Sequence, residues 1–199
     1  MTRRAKILLL LLIIALGVGI IYLRSLAKRV FVEPQQRAEE AARAQLNQIA
    51  LQSNNGTTQM ATLYFPVLNE DKIAPESRNI TWAQSDTDRV RQLILALAEG
   101  SRQGNGRVIP ASTTVRAVFL AADGTAYVDL SNELLSEFEP GIQTETLAIY
   151  SIVNSITMNI PTVKRVRFLI LGQEVETLDG HADLTAPYTS DLARVKSLP

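Results

Sequence analysis

The chain contains no cysteine and only one histidine among its 199 residues. The absence of cysteine excludes a disulfide framework, a lipid-modified cysteine, thiolate metal ligands and thiol catalysis. Two common enzyme motifs are also missing: the Gly-x-Ser-x-Gly turn of a serine nucleophile and the Gly-Lys-Ser/Thr loop that cradles phosphates. We therefore expect no catalytic residue, no cofactor and no metal ion.

The chain as a whole has no net charge, but its N-terminal part and the remainder carry net charges of opposite sign. Residues 1–51 contain eight Lys/Arg and three Asp/Glu, whereas the remaining residues contain twelve and seventeen. The basic N-terminal part suits anionic lipid headgroups. The acidic remainder argues against nucleic acid as a partner.

Residues 7–23, from Ile7 to Leu23, form an apolar run without charge or proline. About 17 to 25 such residues cross a bilayer as a helix. Arg24 separates the run from the small residues at 25–27, where a signal peptidase would cut, so we expect an uncleaved single transmembrane anchor in the cytoplasmic membrane. The basic flank at 1–6 is short and stays inside, which places the C-terminal domain outside the membrane. A cleaved signal peptide and a buried soluble helix are the alternatives.

The rest of the chain divides into three segments. Residues 24–60 predict a juxtamembrane helix and a flexible linker, because a segment rich in Ala, Glu, Arg and Gln is followed by a polar one without apolar periodicity. Residues 61–185 predict a globular domain. The apolar pattern fades in the tail at 186–199, which we expect to be loosely ordered.

The domain shows alternating strand and helix patterns. Two helices are predicted, one between Ser85 and Gly100 and one over residues 144–159, each with an apolar stripe. Strands are predicted at 61–67, 77–82, 113–120, 125–130 and 163–171, with a hairpin turn at Asp123-Gly124. The order β-α-β-β-α-β predicts an α+β two-layer sandwich, in which two helices cover a sheet of four to five strands.

Strict alternation assigns the strand residues to two faces. Val115, Ala117 and Phe119 are expected in the core with Ala126, Val128 and Leu130. The opposite face, away from the helices, combines tyrosine and arginine with aliphatic residues, which is typical of a recognition patch. Its predicted members are Arg116, Val118, Tyr127, Arg165, Arg167 and Leu169. An ordinary solvated sheet face is the alternative interpretation.

Four groups of residues follow one another in a specific order. They are Leu63-Tyr64-Phe65-Pro66 with Pro75-Glu76 and Arg78; Gly100 with Ile109-Pro110; Asp123-Gly124 with Val128-Asp129-Leu130-Ser131; and Tyr150 and Val153-Asn154-Ser155 with Val163-Lys164-Arg165-Val166. In combination they resemble the GerMN domain of sporulation and spore-germination proteins over about residues 61–185. The chain departs from that pattern at Gly100-Ser101 and at Ser155-Ile156.

The resemblance implies a domain of the bacterial cell envelope that is not an enzyme. Such domains are linked to channel assembly between two cells and are similar to ring-building modules. It implies a non-catalytic interaction or assembly module that contacts an envelope protein or a second copy of itself.

The alternative is a peptidoglycan-binding protein or cell-wall-active enzyme, in which Asp129 or the acidic loop with Glu133, Glu137 and Glu139 would act on glycan. We expect instead that this loop is solvated and that Asp129 hydrogen-bonds nearby backbone. His181 lies near Asp179 and Asp183 and is expected in a solvated loop rather than in a metal or acid–base site.

Overall fold

A hairpin opens the domain and forms a sheet of its own. The computed structural model describes Tyr22 and residues 57–197. Strands β1 (Thr58–Pro66) and β2 (Ile73–Thr81) pair antiparallel over their full length. Within residues 57–197 they form a two-stranded sheet, apart from an isolated bridge between Ile73 and Val195. The last residues of the predicted linker therefore belong to a strand.

The second sheet has four strands in the order β3-β4-β5-β6. They are β3 (Val115–Leu120), β4 (Thr125–Leu130), β5 (Arg165–Ile170) and β6 (Tyr188–Thr189). Strands β4 and β5 are parallel, and the other two pairs are antiparallel. A parallel pair needs a long crossover connection, which the helices between β4 and β5 provide.

Three α-helices complete the domain: α1 (Asp86–Ala98), the short α2 (Glu133–Ser136) and α3 (Ile142–Asn159). The hydroxyl of Ser85 accepts a hydrogen bond from the Asp88 N–H, which confirms the predicted start of α1. One apolar core joins the helices to both sheets, and its members include Phe65, Leu93, Val128, Ile152 and Phe168.

The mixed α+β class is confirmed, but the short helix α2 adds a third helix to the two predicted, and the prediction of a single sheet is wrong. The reason lies at the second edge of β1, which α3 closes with polar side chains. The Tyr64 N–H donates to Ser155 Oγ over 2.9 Å, and the Thr62 N–H donates to Asn159 Oδ1 over 2.9 Å. Asn159 Nδ2 donates back to the Thr62 carbonyl over 2.7 Å. Because its backbone groups are satisfied in this way, β1 needs no further strand.

The predicted faces of β3 are wrong from Ala117 onward, whereas Val115 and Arg116 lie on the faces predicted for them. The register with β4 shifts by one residue between Val115 and Ala117, at a β-bulge. A one-residue shift exchanges the two faces of a strand. Val118 and Leu120 consequently pack against the core, and Phe119 points away with 64% of its surface exposed.

The C-terminal tail is held in place, contrary to the prediction for residues 186–199. The Asn154 side chain exchanges two hydrogen bonds of 3.0 Å with the backbone of Asp191. The Lys196 N–H donates to the Ile73 carbonyl over 2.8 Å. Tyr150 packs edge-to-face against Tyr188 at 5.7 Å between ring centroids. The described part of the domain thus runs from β1 through this segment to residue 197.

The predicted anchor at 7–23 lies outside the described residues, except for Tyr22. Tyr22 is helical and exposed. Among the residues that the structure describes, no helix combines the length and the apolar character needed to cross a bilayer. The predicted linker lies outside the described residues up to position 56.

Candidate functional site

The face of the four-stranded sheet that points away from the core is the main candidate site. We call it the outer face. Its residues alternate with the buried residues of β4 and β5 and follow the bulge in β3. The outer face consists of Arg116, Ala117, Phe119, Tyr127, Asp129, Arg165, Arg167 and Leu169. Five of the six predicted residues lie on it, and Val118 does not.

An aromatic pair lies at one side of the outer face. Phe119 and Tyr127 are directly opposite each other on β3 and β4. Their ring centroids are 6.2 Å apart and the rings are tilted by 53°, a favourable arrangement for two aromatic side chains. Arg167 is opposite Tyr127 on β5 and continues the row. Phe119 was missing from the predicted site, because no glycine or proline marks the bulge in the sequence.

The arginines of the outer face are paired with carboxylates rather than free. The ion pairs are Arg116 with Asp129 (3.5 Å), Arg165 with Asp123 (2.8 Å) and Arg167 with Glu174 (2.8 Å). Hydrogen bonds from Thr125, together with the guanidinium of Arg165, hold the pKa of the Asp123 carboxyl below its ordinary value. The outer face therefore offers apolar and hydrogen-bonding contacts without a net positive charge.

Three of the carboxylates considered for glycan chemistry already have partners within the domain. Asp129 Oδ1 accepts the Gly172 N–H over 2.8 Å, which confirms its expected bond to backbone. Glu137 accepts the Ser112 hydroxyl over 2.5 Å. A hydrogen bond from Ser131 lowers the pKa of Glu133. Glu139 is exposed. Within residues 57–197, no group of three acidic or histidine side chains is arranged to hold a metal ion.

His181 lies beside a buried carboxylate that the sequence pattern did not reveal. Glu145 is 0% exposed and accepts the Leu178 N–H over 2.7 Å, the His181 N–H over 2.9 Å and the Thr177 hydroxyl. The imidazole Nδ1 of His181 is 3.5 Å from Glu145 and 3.6 Å from Asp179. Burial acts to raise the pKa of Glu145, but these hydrogen bonds lower it below its ordinary value.

Asp183, the other predicted neighbour of His181, instead accepts the Thr185 N–H. The contacts of Glu145 are mostly with backbone N–H groups, so this carboxylate fixes the loop at 177–181 onto α3. His181 itself is exposed in a loop, as expected, but the buried Glu145 that holds this loop was not predicted. The sequence signal that could have revealed this carboxylate is the position of Glu145 within the apolar stripe of α3.

A buried ion pair fixes the end of α1 to β2. Arg78 donates to Glu76 over 2.7 Å and to the Ala96 carbonyl over 3.0 Å, and its guanidinium lies over the Phe65 ring. Burial acts to raise the pKa of Glu76, but hydrogen bonds from Ser101 and Arg78 lower it. Since every partner is internal, this pair is structural.

Comparison with known families identifies the domain. The family model Germane, described as sporulation and spore germination, matches residues 62–176, which is more than half of the chain. The chain belongs to this family. A search of curated proteins gives no match.

Solved structures of GerMN domains share the fold of this family member. The tandem GerMN domains of the sporulation protein GerM from Bacillus subtilis match with 25% identity and a TM-score of 0.53, over 68% of this chain and 46% of that one. The first GerMN domain of the same protein matches with 24% identity and a TM-score of 0.52, over 67% and 98%. The predicted resemblance to a GerMN domain is thereby confirmed.

Several residues that carry the resemblance now have a structural role. Glu76 and Arg78 form the buried pair, Ser155 closes the edge of β1, and Asp129 binds the Gly172 N–H. These side chains maintain the fold. The exposed Phe119 of the outer face is not explained by such internal contacts.

Proposed function

We propose that this protein is a non-catalytic interaction module of the bacterial cell envelope. Residues 7–23 anchor it in the cytoplasmic membrane, and the family domain lies outside. The outer face binds an envelope protein or a second copy of the chain. Membership in the sporulation and spore germination family supports the setting.

The exposed side chain of Phe119 is the observation that carries this proposal. A phenylalanine that is 64% exposed on a regular strand contributes little to its own domain. It lies against Tyr127 at the β3 side of the outer face, which also carries the ion pairs of Arg116 and Arg167. Exposed aromatic residues next to arginine are enriched in protein-binding surfaces.

Peptidoglycan binding, with or without cleavage, is less well supported. Three of the carboxylates considered for this role, at Asp129, Glu133 and Glu137, have hydrogen-bond partners within the domain. Sedimentation of the full-length protein with purified peptidoglycan tests this alternative directly. If a variant with a substituted outer face still co-sediments with peptidoglycan, the cell wall is favoured as the ligand.

The variant Phe119→Ser tests the proposed function in the full-length protein. Crosslinking in the native membrane, followed by purification, should capture a partner or a dimer with the wild-type chain. We expect a loss of at least about tenfold in the crosslinked product, since an interface aromatic typically contributes more than about 1.4 kcal/mol. Stability should fall by no more than about 1.5 kcal/mol, because the exposed side chain loses only its contact with Tyr127.

The matched control is Ile142→Ser, which removes a side chain that is 67% exposed at the start of α3. It should leave the crosslinked product unchanged. Equal yields from Phe119→Ser and wild type would contradict binding through the outer face. Protease accessibility of the domain in intact cells tests the proposed position outside the membrane.

A further inference from the structure

Strand β3 has a free edge within the part of the chain that the structure describes. It pairs with β4 on one side and with no described strand on the other. The Ala121 N–H donates to the Thr125 carbonyl over 2.9 Å at the hairpin end. Alternate pairs of an antiparallel ladder are hydrogen-bonded, so Phe119 bonds to Tyr127, while the N–H and C=O of Val118 and Leu120 point outward.

The composition of this edge differs from that of protected edges. Natural edge strands are usually interrupted by lysine, proline, an inward-pointing charge or a β-bulge. The sequence of β3 is Val-Arg-Ala-Val-Phe-Leu, with Arg116 as its only charged residue. The bulge lies at its beginning, so Val118 to Leu120 pair regularly with β4. This stretch therefore offers a template for another strand, with Phe119 exposed beside it.

A cation lies at the beginning of the same edge. Arg91 on α1 donates to the Val115 carbonyl over 2.6 Å. Its guanidinium has no carboxylate within ion-pairing distance among residues 57–197, and the side chain is only partly buried. The arginines of the outer face are neutralised, whereas Arg91 is not. An acidic side chain on an added strand would complete this site.

We propose that the free edge of β3 binds an extended, acidic segment of a partner protein as a fifth strand of the sheet. The backbone of Val118 and Leu120 forms the ladder hydrogen bonds, and Phe119 packs against an apolar residue of the segment. A carboxylate of the segment pairs with Arg91. This inference rests on the proposed function and specifies how the partner is held.

A synthetic peptide tests the proposal with the full-length chain in detergent. The probe is an acetylated hexapeptide of valine and threonine with one glutamate. The comparison peptides carry glutamine in its place, or N-methyl groups on alternate residues. We expect millimolar or tighter binding of the acidic peptide and none of the N-methylated one. Amide hydrogen exchange at Val118 and Leu120 should slow at saturation, which contact with the outer face alone would not cause.

The variant Arg91→Gln provides the charge test. It should weaken binding of the glutamate peptide by about fivefold, the upper range for a partly exposed ion pair, and leave the glutamine peptide unaffected. Equal effects on both peptides would refute the assigned role of Arg91. Binding without protection of Val118 and Leu120, or no binding at all, would overturn the edge site.

Two further outcomes separate this proposal from the proposed function. If Phe119→Ser abolishes capture of the native partner while Val118 and Leu120 exchange freely in the complex, the outer face binds and the edge proposal is wrong. If Phe119→Ser leaves capture unchanged, the proposed function fails even where the peptide binds the edge. A dimer that protects the same amides without peptide would replace the partner segment with a second copy.

Discussion

Replacement of Glu145 by glutamine is expected to loosen the loop at 177–181 and to change the acid stability of the domain. The carboxylate is 0% exposed and accepts two backbone N–H groups and the Thr177 hydroxyl. The amide nitrogen of glutamine is a donor and cannot accept any of these bonds. At least one N–H of the partly buried loop therefore loses its acceptor.

The expected cost follows from the number of orphaned donors. Each buried polar group without a partner costs about 1–3 kcal/mol, so the loss of one acceptor in Glu145→Gln should lower the free energy of unfolding by about 1–3 kcal/mol at pH 7. Urea denaturation measures this change. The single tryptophan, Trp82, is buried and reports unfolding by its fluorescence. The control Glu139→Gln makes the same chemical change on an exposed side chain and should cost less than about 0.5 kcal/mol.

The pH dependence provides an independent test. The pKa of Glu145 is lowered in the folded state relative to its ordinary value of 4.5. A lowered pKa stabilises the folded state above that value, and the contribution disappears as the pH falls towards the folded-state pKa. Wild type should therefore lose stability below about pH 4.5 through this group, and Glu145→Gln should not. The difference in the free energy of unfolding between wild type and Glu145→Gln should therefore become smaller at acidic pH. A constant difference from pH 7 to pH 3 would refute the account of Glu145.

Two other substitutions test how the fold is held. Ser155→Ala removes the acceptor of the Tyr64 N–H and should cost about 1–2 kcal/mol and speed exchange of that amide; unchanged exchange would mean that another group closes the edge of β1. Gly124→Ala adds a Cβ at a φ of +82°, and this atom would lie 2.8 Å from Lys164 Cγ. Gly104 is the control, because it has a similar φ of +80° but its added Cβ would have no atom within 4 Å. Urea denaturation should show that Gly124→Ala lowers the free energy of unfolding more than Gly104→Ala, which adds only backbone strain of about 1 kcal/mol. Equal losses of stability would exclude a steric role for the Asp123-Gly124 turn.

Local sequence signals predicted the elements of the domain well. The capping serine at Ser85, the Asp123-Gly124 turn and the apolar stripes of both long helices all occur where expected. The alternation in β4 and β5 also holds, with Val128 and Phe168 in the core. Each of these signals acts within a few residues, so the sequence alone was sufficient. The motif order was sufficient for the family as well.

Long-range pairing was decided by the tertiary structure. The sequence does not show that Ser155 and Asn159 on α3 satisfy β1 across more than 90 residues, which separates the hairpin from the main sheet. The ordering of the tail likewise depends on Asn154 and Ile73, which are distant in sequence. Such contacts produce no periodic pattern in the sequence, because a single polar side chain can hydrogen-bond a backbone group at any distance along the chain.

The outer face was likewise predicted correctly where strands are regular and wrongly where long-range pairing decides. Alternation correctly placed Tyr127, Arg165 and Arg167 on the outer face, since β4 and β5 are regular. It failed for Val118 and Phe119, because a single bulged residue reverses every later side chain of a strand. The sequence determined which residues form strands and helices and which family they belong to. Only the tertiary structure decided which aromatic side chain faces outward and which strand edge stays open, because both depend on pairing between strands.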